Sequence, residues 1–205
     1  YTPTAAQRVA AGLAAVPDAV FTVTVTDGKT PEVMASVSIP IDPTPIHLLD
    51  PVTTAGRPGA VAATNNRAYL LNSATGTVTV INTLDGTVVS TIGVGTDPVS
   101  VVVKPDGKAV YVADAAGRSI AVIDTTTNTV TRQIALGFTP TALAISPSGG
   151  AVYIGNATGK MAKLSTSSNR ISAWVGNTTG ATALVVSPDG KRVYVTTPAG
   201  IAAYN

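Results

Sequence analysis

The stretch DPVSVVVKPDGKAVYVADAAGRSIAVIDTTTNTVTRQI, residues 97–134, decides the fold. It begins with a continuous apolar run, Val99 to Val103, too short for a helix and bounded by turn residues, which suits a strand buried on both faces. Pro105-Asp106-Gly107 then reverses the chain: Pro presets φ, Asp can bond its own backbone, and Gly accepts positive φ. A second strand carries Tyr111, a turn follows at Gly117, and Ser119 to Ile123 alternates as a third strand. Thr127-Asn128 turns the chain into a fourth strand. Four short antiparallel strands thus occupy roughly 40 residues.

The same sentence of residues recurs. Tyr69, Tyr111, Tyr153 and Tyr194 stand at spacings of 42, 42 and 41 residues. The third copy has Ala142 to Ile145, the turn Ser146-Pro147-Ser148-Gly149 and Tyr153; the last has the turn Ser187-Pro188-Asp189-Gly190 before Tyr194. The earliest copy is two residues shorter in its first turn, where Thr64-Asn65-Asn66 replaces the Pro-Asp-Gly form. Four-stranded units repeated without intervening helices predict an all-β chain, a β-propeller of about four blades, because radial packing buries both faces of each sheet and leaves only short edges. In that setting the tyrosine is a packing element, its ring between adjacent blades and its hydroxyl on a polar partner.

The 19 Gly, 14 Pro and single Glu32 are poor material for helices, and Thr4 to Val16 is the one plausible helix. No apolar run approaches the roughly 18 residues a membrane-spanning helix needs. Residues 1–43 lack the repeat. There Phe21 to Thr26 alternates, turns at Asp27-Gly28, and meets Glu32 to Pro40 as a hairpin partner. Ile41-Asp42-Pro43-Thr44-Pro45 reads as a stiff connector to the blades of residues 44–205. Ile46 to Thr54 then occupies the place of a fourth strand, while Gly200 to Asn205 stops after a third. The two could share one closing blade. Otherwise the blades belong to a larger ring, or two half-rings pair. The chain begins at Tyr1 with no signal peptide, as expected of a piece of a longer polypeptide.

Candidate chemistry is sparse. With one histidine, His47, and no cysteine, neither a multi-His metal site nor a thiolate nucleophile can be built; His47 with Asp50 supplies no nucleophile or oxyanion hole. Asp27, Asp85, Asp106 and Asp189 each precede Gly without the alternating ligands of a calcium loop, so they are read as turn residues. Asn72, Asp114 and Asn156 share one register after the tyrosine, with Thr197 in the last copy, and are read as turn caps. No catalytic, cofactor-binding or metal-ligating residue is therefore assigned. The net charge is +2 and Lys191-Arg192 is the only adjacent basic pair, too little for a nucleic-acid-tracking stripe. Trp174, on a fourth strand, is expected to be half-buried between blades or to mark a contact surface. Asn156-Ala157-Thr158 and Asn177-Thr178-Thr179 match a glycosylation sequon and are read as accidental.

The Tyr copies, the preceding Ser187-Pro188-Asp189-Gly190-Lys191 and the following run Ile123 to Val130 resemble the YVTN β-propeller repeats of bacterial and archaeal surface and secreted proteins, over about residues 46–205. Tyr1 to Arg8 and Phe21 to Gly28 resemble the last strands of Ig-like or cadherin-like repeats in large actinobacterial secreted proteins. The first resemblance implies an extracytoplasmic place and a ring of about seven blades, more than this chain holds. The expectation is a non-enzymatic scaffold without cofactor, presenting loops to a protein or glycan partner. It would form a homo-oligomer if the ring is incomplete. Competing expectations are a ligand-sensing, lactonase-like or quinone-type enzyme at the channel mouth, and a self-assembling envelope component.

Overall fold

A computed structural model describes residues 18–25, 33–40, 58–64, 66–176 and 179–205, and each regular element among them is a β-strand. The chain divides into two compact units, Tyr1–Leu48 and Leu49–Asn205. In the first, β1 (Asp18–Val25) pairs antiparallel with β2 (Val33–Pro40), Phe21 opposite Val37, as the alternation predicts. The expected helix from Thr4 to Val16, the connector from Ile41 to Pro45, and the strand expected from Ile46 to Thr54 lie outside the described residues.

In the second unit the repeat becomes four sheets. The first is β3 (Pro58–Thr64), β4 (Arg67–Asn72), β5 (Thr77–Asn82) and β6 (Val88–Gly93). The second is β7 (Pro98–Val103), β8 (Ala109–Asp114), β9 (Ser119–Asp124) and β10 (Thr129–Ala135). The third is β11 (Pro140–Ile145), β12 (Ala151–Asn156), β13 (Met161–Ser165) and β14 (Arg170–Val175), and the fourth is β15 (Ala183–Val186), β16 (Val193–Thr197) and β17 (Gly200–Tyr204). Within each sheet, strands pair antiparallel in chain order, so every blade is a meander. Its first strand starts on proline in the first three sheets, and each time the register slips just after it. Proline has no N–H to give the ladder, which confines it to such a strand start or bulge. The turn asparagines Asn128 and Asn169 hold positive φ, 54° and 53°, the left-handed conformation that Asn tolerates better than most residues.

The pleat divides each sheet between two neighbours. From the second sheet, Val101, Val110, Val112, Ala121 and Ile123 pack with Tyr69, Leu71, Val78 and Val80 of the first. The alternate residues Tyr111, Ala113, Ile120 and Val122 face the third sheet, meeting Leu143, Val152, Ile154 and Leu164. Each of these side chains contributes about 1.5–3 kcal/mol on full burial if large, so the stability of the unit lies between sheets rather than within them. Tyr153, Met161, Leu184, Val193 and Val195 form the third and smallest layer. The first strands lie side by side, β3 with β7, β7 with β11 and β11 with β15. Among the described residues, β15 has no matching contact with β3. Among the described residues the first strands thus lie in one row, with β3 and β15 at its ends.

Candidate functional site

Turns at one edge of each blade lock onto the next blade, and this regular joint shows where the first blade departs. Pro105 in the β7–β8 turn lies over Gly149 of the next blade so closely that a Cβ there would sit 3.1 Å from its Cδ. Gly149 also has φ +70°, so its register requires glycine twice over. Inside the second and third blades, Thr125 Oγ1 donates to the Gly107 carbonyl at 2.6 Å and Thr166 Oγ1 to the Gly149 carbonyl at 2.7 Å. Between blades, the buried Tyr111 hydroxyl donates to Asn169 Oδ1 at 3.1 Å.

The joint of the first two blades is built differently. The short turn has no proline, and the neighbour of Gly107 is Thr64, whose Cγ2 would be 3.6 Å from an added Cβ. Arg67 stands where the next two blades have Ala109 and Ala151. Beside Gly107 lies a pocket of about 130 Å³ lined by Thr64, Asn66, Arg67, Tyr69, Asp106 and Thr125. The Tyr69–Asn128 pair, equivalent to Tyr111–Asn169, does not form: the Tyr69 hydroxyl and Asn128 Oδ1 are both buried without a hydrogen-bond partner. Arg67 Nη1 is in the same condition. Burial pushes the Tyr69 phenol above its ordinary value of 10.0, and the Arg67 cation pulls it partly back. Asp106, on the pocket wall, accepts from Lys108 N–H at 3.0 Å and from Lys104 Nζ at 2.9 Å. These bonds hold its carboxyl below the ordinary range, the backbone bond foremost.

Sequence reasoning reads each Tyr hydroxyl as bonded, which holds for Tyr111 and fails for Tyr69. It also passes over Arg67. The signal was there: the column holds Arg67, Ala109, Ala151 and Arg192, and only at Arg67 does the arginine follow a turn that has lost two residues.

His47, Asp50 and Asp27 lie outside the described residues. Asp85 and Asp189 do serve their own turns, Asp85 accepting from Thr87 N–H at 2.9 Å and Asp189 from Lys191 N–H at 3.0 Å. Asp114 is buried and accepts from the amides of Thr96 at 3.2 Å and Asp97 at 2.9 Å, tying its strand to the segment that leads into its blade. Asn156, also buried, accepts from Thr158 N–H at 3.1 Å and donates to the Lys160 carbonyl at 3.3 Å. Its amide is thus a cap, consistent with an accidental sequon; Asn177 and Thr178 of the other lie outside the described residues. Asn72 is buried with Oδ1 unpartnered, and Thr197 donates to the Gly200 carbonyl at 3.1 Å. Trp174 is half exposed, its ring edge-on to Phe138 at 5.2 Å between centroids. Among the described residues, no three His, Cys, Asp or Glu side chains gather as a metal site, and no helix is long and apolar enough to cross a membrane.

Residues 46–165, more than half of the chain, match the YNCE-like beta-propeller family. The chain belongs to the YNCE-like beta-propellers. No curated protein matches it. Among solved structures it is similar to a chain of Kuenenia stuttgartiensis Hydrazine Synthase, with a TM-score of 0.67 and 20% identity, over 74% of this chain and 47% of that one. The chain therefore spans about half the length of that neighbour. Because 1240 chains of solved structures match and propellers host many functions, the likeness concerns the fold alone.

The outer sheets of this YNCE-like propeller expose positions that its inner sheets bury. Val185 occupies the register of the buried Ala144 yet is 59% exposed. Ile201 is 77% exposed, and its counterpart in the third sheet, Met161, is fully covered. At the other end Val61 is 63% exposed, against 6% for its equivalents Val101 and Leu143, although Ile81 on the same face is buried.

Proposed function

We propose that this chain is a non-enzymatic, extracytoplasmic propeller module, a rigid interaction scaffold within a modular envelope or secreted protein. The observation that carries the scaffold reading is the outward face of the fourth sheet. In the second and third sheets the matching face is covered by the next blade; here Val185 and Ile201 face solvent on a sheet whose other side is packed. An apolar face on a rigid support is the form of an interaction site. The extracytoplasmic place rests on the resemblance to repeats of surface and secreted proteins.

The same face favours a second reading, self-assembly. What covers it in the inner joints is a blade of this repeat, and the first sheet offers Val61 and Val88 on a partly open face of its own. A second copy supplies a blade of the right shape, so two arcs can cover one another's ends. Light scattering across a range of concentrations tests both readings. Self-association that Val185→Asp with Ile201→Asp abolishes, with the fold intact, supports self-assembly. A strict monomer excludes it. The scaffold reading itself falls if cell fractionation places the protein in the cytoplasm or if purified chain turns over lactone substrates.

A further inference from the structure

We infer that the pocket at the joint of the first two blades binds a small monocarboxylate bearing a hydroxyl or ammonium group, a hydroxy acid or an amino acid. Three observations converge on it. Arg67 places a guanidinium there with a buried Nη1 that has no acceptor, and Tyr69, fully buried, brings a hydroxyl with no partner to the same wall. The shortened turn that opens the pocket belongs to this blade, and Arg67 stands where the next two blades have alanine and the last has Arg192, whereas the next joint is closed by Pro105 over Gly149 and by the Tyr111–Asn169 bond. A pocket of about 130 Å³ has room for several water-sized groups, the scale of a small molecule.

The chemistry of the lining selects the class. A carboxylate oxygen can accept from Arg67 Nη1 and a second from the Tyr69 hydroxyl, the charge-assisted pairing in which arginine excels. Asp106 also lines the pocket, and its carboxylate, already paired with Lys104 and bonded by the Lys108 amide, keeps lone pairs that can accept from a hydroxyl or ammonium group and adds no positive charge for a second anionic group. Thr125 has already given its hydroxyl proton to the Gly107 carbonyl, so it too offers only acceptance. A dianion such as phosphate would meet Asp106 unfavourably. A plain acyl chain would make no use of the lone pairs that Asp106 and Thr125 still offer.

Backbone-amide chemical shifts, followed on the whole chain at constant ionic strength, test this with sodium lactate and inorganic phosphate as probes. The expected result is saturable lactate shifts at Thr64, Arg67, Gly107 and Thr125, with phosphate about tenfold weaker or worse. Arg67→Ala should weaken lactate by about tenfold or more, the loss expected for one hydrogen bond to a charged group. That variant installs the residue the repeat itself uses at Ala109 and Ala151, so it retains the fold. Tyr69→Phe, a second variant that keeps the ring, should weaken lactate several-fold. Lactate shifts that never saturate, equal affinity in Arg67→Ala, or phosphate binding as tight as lactate would each overturn the inference.

Discussion

Two chemically identical substitutions, Tyr111→Phe and Tyr69→Phe, should differ in effect. Both rings are buried in equivalent joints, so the packing term is the same and only the hydroxyl changes. At Tyr111 the change removes a 3.1 Å bond and leaves Asn169 Oδ1 short of a donor in a part-buried place. A lost neutral hydrogen bond nets about 1 kcal/mol, and the orphaned acceptor brings the cost to about 1–2 kcal/mol. At Tyr69 the hydroxyl is buried without a partner, so its removal relieves a desolvated polar group. Tyr69→Phe should then lie within about 0.5 kcal/mol of the parent or above it in stability. Urea unfolding in carboxylate-free buffer, followed by the fluorescence of the single tryptophan, Trp174, measures both. Equal losses in the two variants would mean that Tyr69 is bonded like Tyr111 and that the two joints are alike. The ring should outweigh either hydroxyl: Tyr111→Ala should cost about 3–5 kcal/mol.

Other joints give further tests. Asp114→Ala removes the acceptor of two backbone amides and should cost about 2 kcal/mol in the same assay, whereas Asp114→Asn, the residue at this register in the flanking sheets (Asn72 and Asn156), should cost less than about 1 kcal/mol. In acid, the turn carboxyls Asp85, Asp106, Asp124 and Asp189 are each held below the ordinary value of 3.8 by hydrogen bonds, chiefly from their own turns. Their contribution is therefore complete above 3.8 and is lost as the pH falls through the lower folded values, so the urea midpoint should drop between pH 5 and pH 2 by less in Asp85→Asn/Asp189→Asn than in the parent.

How far the fold was legible follows from which residues act locally. The Pro-Asp-Gly turns, the alternating third strands and the recurring tyrosine each specify structure within a few residues, and so the three described four-stranded meanders and the hairpin of β1 and β2 were readable directly. The joint between blades is not local. Tyr111 finds Asn169 across 58 positions of chain, and only the column shared with Asn128 hints at that partner. Arg67 was passed over because a lone arginine at the start of a strand reads as a solvated end. Its meaning depends on a turn shortened three residues earlier and on Gly107 in the next blade. The missing fourth strand of the last sheet was legible and read as supplied by Ile46 to Thr54, outside the described residues; that Val185 and Ile201 would be uncovered was not legible.

The outer face of the fourth sheet, where Val185 and Ile201 are exposed, is the surface on which both proposed readings, scaffold and self-assembly, rest. The molar mass in solution, measured by light scattering on the parent and on Val185→Asp/Ile201→Asp, tests self-assembly most directly. If two copies cover one another's ends, the parent, 20.5 kDa as a monomer, shifts toward twice that mass as its concentration rises and the double variant does not. A parent that remains a monomer at every concentration, or a double variant that associates as the parent does, would contradict that reading.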